Sequence, residues 1–462
     1  MISRHDLLHT LFFLLLIGFP EIAKTQRLLV SDNGRYLTHE DGRPFFYLGD
    51  TAWELFHRLS REEAERYLEN RADKGFTVIQ AVVLAQLGGL TVPNANGDLP
   101  LVDKDPRQPV EAYFQHVDAV VEKAASLGLF VGMLPTWGSY WSDVNSDQKI
   151  FTSESARAFG EYLGERYREA PVIWILGGDE NINNEEERAI IEAMAAGLRT
   201  GDGGRHLITF HPRGPGRSSE YFHEAGWLDF NIYQSSHGNH DHDNGLYAEH
   251  DYQLTPTKPT LDGEPRYELI PAGFYFADAN GFDWFDDYDC RQAAYWSVLG
   301  GACGHTYGHN SIWQMWAPGR NPVIGAAVPW YEAIDHPGAF QMRHLRKLFE
   351  TYPFHKLTPG QSVILSGPAS GGAKIRAAIA DDASFAIIYS PRGESFTLDK
   401  AVLDAKRIKS SWFDPRYGIF HHAHTANTTG IQTYTPPTSG RGQDWVLVLE
   451  DAEREFSLSK ED

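Results

Sequence analysis

Two cysteines in 462 residues, Cys290 and Cys303, are too few for the disulfide framework that holds small secreted domains together, so the fold must rest on a hydrophobic core. A helix expected between them argues against their pairing. Basic residues are also scarce: 41 Lys and Arg stand against 62 Asp and Glu, a formal charge of −21. Nucleic acid and anionic membrane surfaces both call for clustered Lys and Arg, and that balance argues against either as a partner. No GxGxxG follows the first expected strand, which leaves a dinucleotide-binding sheet without support, and no low-complexity tract interrupts the chain. What is present is ample core material, 42% hydrophobic and 13% aromatic, enough for one large domain and a smaller one.

The one strongly apolar N-terminal run, Leu11 to Ile17 behind Arg4 and His5, is too short for a bilayer-spanning helix and reads as the core of a signal peptide over residues 1–25. The expectation is a secreted or periplasmic protein with no membrane span after cleavage. The alternative is an uncleaved anchor, and no cysteine closes the run to suggest a lipid-modified terminus.

From there an alternation sets in. Arg35–Thr38 and Pro44–Leu48 flank the turn signal Glu40-Asp41-Gly42 and predict a hairpin whose second arm becomes a first barrel strand ending at Gly49-Asp50-Thr51. Ser60-Arg61-Glu62-Glu63 is a capping-box pattern that opens a helix, closed at Gly75. Seven further strands are expected at Phe76–Val83, Phe130–Leu134, Val172–Leu176, Leu207–Phe210, Phe230–Gln234, Pro259–Asp262 and Gly304–Tyr307, with helical segments between most of them. A Gly/Pro/Asn-rich loop from Gly88 to Pro109 is long enough to read as an insertion covering a site. Eight such units predict an α/β fold, a (β/α)8 TIM barrel over residues 26–352. From about Pro353 short apolar runs separated by Gly, Pro, Asp and Ser predict a C-terminal antiparallel β-sandwich over residues 353–462.

Within this frame the stretch Trp174-Ile175-Leu176-Gly177-Gly178-Asp179-Glu180-Asn181 carries the chemistry. A strand apolar on both faces stops at two glycines and two carboxylates, at the end of the barrel where catalytic groups sit. One of the two acids could instead cap the helix that follows. A second acid-bearing strand end, Asp262-Gly263-Glu264, lies downstream, where the competing reading of Glu264 is an ion pair with Arg266. Two carboxyls flanking a glycosidic bond hydrolyse it without metal or cofactor: one protonates the leaving oxygen, the other attacks the anomeric carbon or activates water. Strands four and seven are also the positions used by retaining glycosidases of the large barrel clan, and Trp174-x-x-x-Gly178-Asp179 resembles their tryptophan-led Asn-Glu motif. Asp179 is thereby read as general acid/base and Glu264 as nucleophile.

Tyr47-Leu48-Gly49-Asp50-Thr51-Ala52-Trp53, Trp174 to Asn181 and Asp262-Gly263-Glu264-Pro265-Arg266-Tyr267-Glu268 together resemble the apiosidase-like glycoside hydrolases, family one hundred and forty. The likeness runs from Arg35 to about Leu449 and includes a C-terminal module that carries a collagen-binding label; nothing collagen-specific is legible in residues 353–462. It implies hydrolysis of an apiose-containing linkage in pectic side chains of plant cell walls, with an aspartate acid and a glutamate nucleophile matching Asp179 and Glu264. Gly178-Asp179 replaces Asn-Glu of the wider clan, so the amide that touches a sugar 2-hydroxyl is missing, and a cellulase-like pyranoside specificity is not expected.

Around the acids, Trp53 and Trp137 are expected to wall the site and stack on sugar rings, with Trp141, Trp313 and Trp316 as further aromatics on strand-end loops. Asp50, His211, Tyr233 and His237 close strands one, five and six and are expected to bind hydroxyls or keep Glu264 ionised. The run His237-Gly238-Asn239-His240-Asp241-His242 invites a metal reading, but two histidines one helical turn apart with a general-base Glu are absent, and a solvated loop or sugar contact is preferred. The expected partner is an oligo- or polysaccharide, with no cofactor and no metal; the sequence leaves oligomeric state open. Competing readings are a carbohydrate-binding or adhesion protein that has lost catalysis, a glycosidase of other sugar specificity, and a metal-dependent hydrolase.

Overall fold

A computed structural model describes residues 27–276 and 283–456; the signal-peptide expectation lies outside the described residues. Eight parallel strands form a ring: β1 (Tyr47–Thr51), β2 (Val78–Leu84), β3 (Phe130–Thr136), β4 (Val172–Gly177), β5 (Ile208–His211), β6 (Asn231–Gln234), β7 (Thr260–Asp262) and β8 (Gly304–Tyr307). Every residue of these strands is buried, as strands covered on both faces require. Hydrogen-bonded ladders join β1 through β5 in sequence, β6 to β7, β7 to β8, and β8 back to β1. Between β5 and β6 the ring is joined by single bonds instead. The Thr209 hydroxyl donates to the Phe230 carbonyl at 2.7 Å, and the Asp229 amide to the Ile208 carbonyl at 2.9 Å. A two-residue strand, Gly216–Arg217, pairs antiparallel with the end of β6 there.

The local signals act as read. The Ser60 hydroxyl accepts from the Glu63 amide, and the Glu63 carboxylate accepts from the Ser60 amide, opening helix Arg61–Asp73. Asn184, rather than Asp179 or Glu180, caps helix Glu185–Asp202, so both carboxylates are released from that duty. Arg266 donates to the His240 carbonyl and to Gln292, so the Glu264–Arg266 ion pair does not form. The Gly88–Pro109 loop lines none of the catalytic cavity described below; it is pinned to helix Leu55–Arg58, through His57 Nε2 to the Val92 carbonyl and the Ala95 amide to the His57 carbonyl. Cys290 and Cys303 are buried and free.

Two expected site residues face the wrong way. Side chains alternate along a strand, and Asp50 points outward from β1 into helix Arg61–Asp73, where Tyr67 and Arg71 both donate to it. Tyr233 likewise points outward from β6, its hydroxyl 2.7 Å from Ser297 and its ring stacked on Tyr247. Neither lines the cavity.

Beyond helix Pro337–Thr351 the chain forms two antiparallel sheets. One orders Leu357–Pro359, Arg376–Ala380, Phe385–Ser390, Trp445–Asp451, Arg407–Asp414 and Ile419–Asn427; the other is Ile364–Ser366, Phe396–Asp399 and Ile431–Tyr434. Ile375, Ile388, Phe396, Leu398 and Trp445 fill the space between them. The outer face of the larger sheet packs on the barrel: Tyr389 stacks on Tyr295 with centroids 4.7 Å apart, and the Arg291 guanidinium grips the Asp444 carboxylate. Among the described residues no helix is long and apolar enough to cross a membrane.

Asp50 and Arg71 are both fully buried, so deleting one leaves an uncompensated charge in the interior. Asp50→Ala is expected to destabilise the protein by roughly 3–5 kcal/mol in chemical denaturation, which is the cost of breaking a buried pair from one side.

Candidate active site

The end of β4 is held in a conformation that few residues adopt. Gly177, Gly178 and Asp179 follow one another at φ of 91°, 93° and 59°. A Cβ at Gly177 would lie 2.3 Å from the His211 carbonyl oxygen, so glycine is required for space as well as for dihedral angle. Neighbouring strands lace this turn in place. The Gly138 amide donates to the Gly178 carbonyl at 2.8 Å, the Gly178 amide to the His211 carbonyl at 3.2 Å, and the Trp141 indole to the Gly177 carbonyl at 2.8 Å. Asp179 tolerates the left-handed region better than most residues, and strain of this sort concentrates where a side chain must be aimed.

Glu264 reaches the same place from β7. Gly263 lets the chain pass β6, where a Cβ would meet Ile232 at 2.5 Å, and its carbonyl accepts from the Gln80 side chain at 3.0 Å. Only 7% of Glu264 is exposed. His211 Nε2 lies 3.2 Å from one carboxylate oxygen and His237 Nε2 lies 3.3 Å from the other. The Asp179 amide donates to His211 Nδ1 at 3.4 Å, which places the imidazole proton on Nε2, facing Glu264. His211 therefore links the backbone of one acid to the side chain of the other.

These surroundings drive the two carboxyls apart. Removal from water and then the negative charge of Glu264 push Asp179 up to about 7, against the opposing pull of His211, Arg213 and Gln234. Burial alone would raise Glu264 as well, but the imidazoles of His211 and His237, one facing each carboxylate oxygen, more than reverse this and bring it to about 2. One group is poised to give a proton while its neighbour is ionised, the division of labour that two-carboxylate sites use.

Asp179 and Glu264 line one cavity of about 480 Å³, together with Trp53, Trp137 and His237. Trp53 and Trp137 sit 5.6 Å apart and Trp53 meets His211 edge-on, so the aromatic wall also positions the imidazole. Trp313 lines the cavity too, whereas Trp141 is fully buried and does not. His211 is fully buried behind Glu264 and is placed to hold that carboxylate rather than to touch a sugar. The histidine-rich loop is committed elsewhere beyond His237: His240 bonds Asp283 and Asp289, Asp241 pairs with Arg392, and Asp243 pairs with Lys374 and Arg376.

Several lining residues were not anticipated from the sequence: Gln86, Arg213, Gln234, Tyr267 and Tyr275. Arg213 stands two residues past the end of β5, so following that strand a little further would have found it, while Gln234 already closed the expected sixth strand without being read as a site residue. Tyr275 comes from the long connection after β7 and carries no sequence signal; the fold brings its hydroxyl 2.9 Å from Ser236.

Comparison with known proteins agrees with this geometry. Residues 31–356 match the family model described as the apiosidase-like catalytic domain, and residues 358–450 match one described as a collagen-binding domain of a collagenase. No curated protein matches the chain significantly. A solved structure described as a glycoside hydrolase superposes with a TM-score of 0.85 at 34% identity, covering 93% of this chain and 98% of its own. A family 5 glycoside hydrolase from Bacteroides vulgatus gives a TM-score of 0.85 at 32% identity, over 93% and 95% of the two chains. With this match over most of its length, the chain belongs to the apiosidase-like family and is a glycoside hydrolase.

Proposed function

We propose that the protein is a retaining glycosidase of plant cell-wall pectic polysaccharide that cleaves an apiosyl linkage, with Glu264 as nucleophile and Asp179 as general acid/base. The observation that carries the mechanism is the pair itself: two carboxyls on one cavity, biased in opposite directions by their own neighbours. The family model supports the apiosyl specificity, and the N-terminal sequence supports a secreted or periplasmic location.

In the first step the Glu264 carboxylate attacks the anomeric carbon while protonated Asp179 gives its proton to the departing glycosidic oxygen. The product is a glycosyl ester on Glu264 and an Asp179 carboxylate. Asp179 then takes a proton from water as that water attacks the anomeric carbon, which frees Glu264 and returns Asp179 to its protonated form. His211 and His237 keep the nucleophile ionised before attack and accommodate it as a leaving carboxylate afterwards. Trp53 and Trp137 offer flat faces to the sugar C–H bonds.

Asp179→Asn and Glu264→Gln are each expected to lower kcat by several orders of magnitude with melting temperature retained; hydrolysis at the wild-type rate in either would remove the assignment. The activity profile follows from the two ionisations. Asp179 must be protonated, so activity declines as pH rises through about 7; Glu264 must be ionised, so the acid limb falls far below the usual glutamate range. An alkaline limb unmoved in a folded Asp179→Asn variant with residual activity would contradict the first half. Stereochemistry is the third check: proton NMR of the first-formed product should show the substrate's anomeric configuration, and inversion would require a carboxyl separation of roughly 6.5–9.5 Å rather than about 5–5.5 Å.

A further inference from the structure

The loop from Ser235 to Asn244 sets His237 against Glu264, and its far end is held by the C-terminal sandwich. Asp243 accepts from Arg376 Nε at 3.0 Å, from Arg376 Nη2 at 2.7 and 2.9 Å, and from Lys374 Nζ at 2.7 Å. Arg376 is 1% exposed, and its remaining fork atom reaches Glu249. The next residue, Asn244, donates at 2.8 Å to Asp262, two positions before Glu264, and Asp262 also takes the Ser235 hydroxyl at 2.6 Å from the near end of the loop. Two more ties join the same region to the sandwich: Gln292, which holds Arg266 beside the nucleophile, donates to the Gly372 carbonyl at 2.8 Å, and Arg392 pairs with Asp241 at 3.0 Å.

We propose that the sandwich is part of the active-site support: Arg376 and Lys374, acting through Asp243, fix the loop that positions His237 on the nucleophile. Asp243, Arg376 and Lys374 are then positioning residues, none of them touching substrate. The physical reason is that backbone bonds at Ser236 and His237 and the Asn244 side chain tie the loop near Glu264 while Asp243 ties its far end to the sandwich, and a donor 3.3 Å from its acceptor has little distance to lose before the hydrogen bond fails. The titratable groups facing Glu264 are Asp179, His211, His237 and Tyr267; only His237 rides on this loop.

The proposal rests on Glu264 being the nucleophile, and the experiment separates the two. Asp243→Asn is compared with Asp444→Asn, which weakens another buried barrel–sandwich ion pair, with Arg291, neither of whose members bonds a residue of the loop. Both are purified as full-length protein, melted, and assayed across pH on a chromogenic glycoside that the wild type hydrolyses. Asp243→Asn is expected to lose roughly tenfold to a hundredfold in kcat, the scale of a small misplacement at a reacting centre, and to shift the acid limb upward as Glu264 loses a donor. Asp444→Asn is expected to melt earlier with its acid limb unmoved. Folded Asp243→Asn with wild-type kcat and acid limb, or Asp444→Asn reproducing the same shift, would overturn the proposal. If Asp243→Asn does not fold, Lys374→Met, which keeps the Arg376 fork, is judged by the same criteria with a smaller expected loss. Wild-type hydrolysis by Glu264→Gln in the same assay would instead overturn the nucleophile assignment.

Discussion

A carboxylate almost sealed from water has to be stabilised by its neighbours, and here two imidazoles do so for Glu264. The rest of the site follows from that constraint. His211 faces the carboxylate with its N–H only because its other nitrogen accepts from the Asp179 amide. That amide points the right way because Asp179 is left-handed, and Asp179 is left-handed because Gly177 and Gly178 turn the chain beneath it. The twin glycines, the aspartate and the histidine of the next strand form one unit, and Trp141 and Gly138 close it from the β3 side.

Perturbed ionisation alone would not have singled out this pair. Burial also pushes Glu268 up to about 7 and Asp262 up to about 6. Glu268 takes bonds from the Tyr307 hydroxyl and the Gly338 amide, and Asp262 from Ser235 and Asn244, so both serve as internal struts. What distinguishes Asp179 and Glu264 is that they share one cavity and are displaced in opposite senses. Asp50 marks the other limit: a buried carboxylate near a strand end whose side-chain donors are an arginine and a tyrosine of the covering helix.

The sandwich is joined to the barrel by more than apolar contact. Its large sheet buries Ile387, Tyr389 and Val446 against helices that also carry Trp296 and Phe349. Charged groups are placed where the connection after β6 comes near it, with Arg376 and Lys374 on Asp243 and Arg392 on Asp241. Apolar packing fixes how far apart the two bodies sit, while ion pairs of fixed fork geometry fix the course of a particular loop.

The sequence by itself determined the ring and its most reactive residues. Apolar runs located all eight strands to within about two or three residues, because burial on both faces leaves an unbroken hydrophobic signal, and Gly-Asp or Gly-Glu marked the ends of β1, β4 and β7. The same reading placed Asp179, Glu264, Trp53, Trp137 and His237 on a common cavity, since parallel strands deliver their C-terminal ends to one mouth. Tertiary structure decided what strand order cannot encode. Asp50 and Tyr233 turn outward because side-chain alternation depends on where each pleat begins, and Tyr275 reaches the cavity from a connection with no periodicity of its own. It also decided the ionisation of the acids, because a carboxyl's proton affinity depends on which groups stand within about 3 Å of it, and here these are His211 from β5 and His237 from the loop after β6.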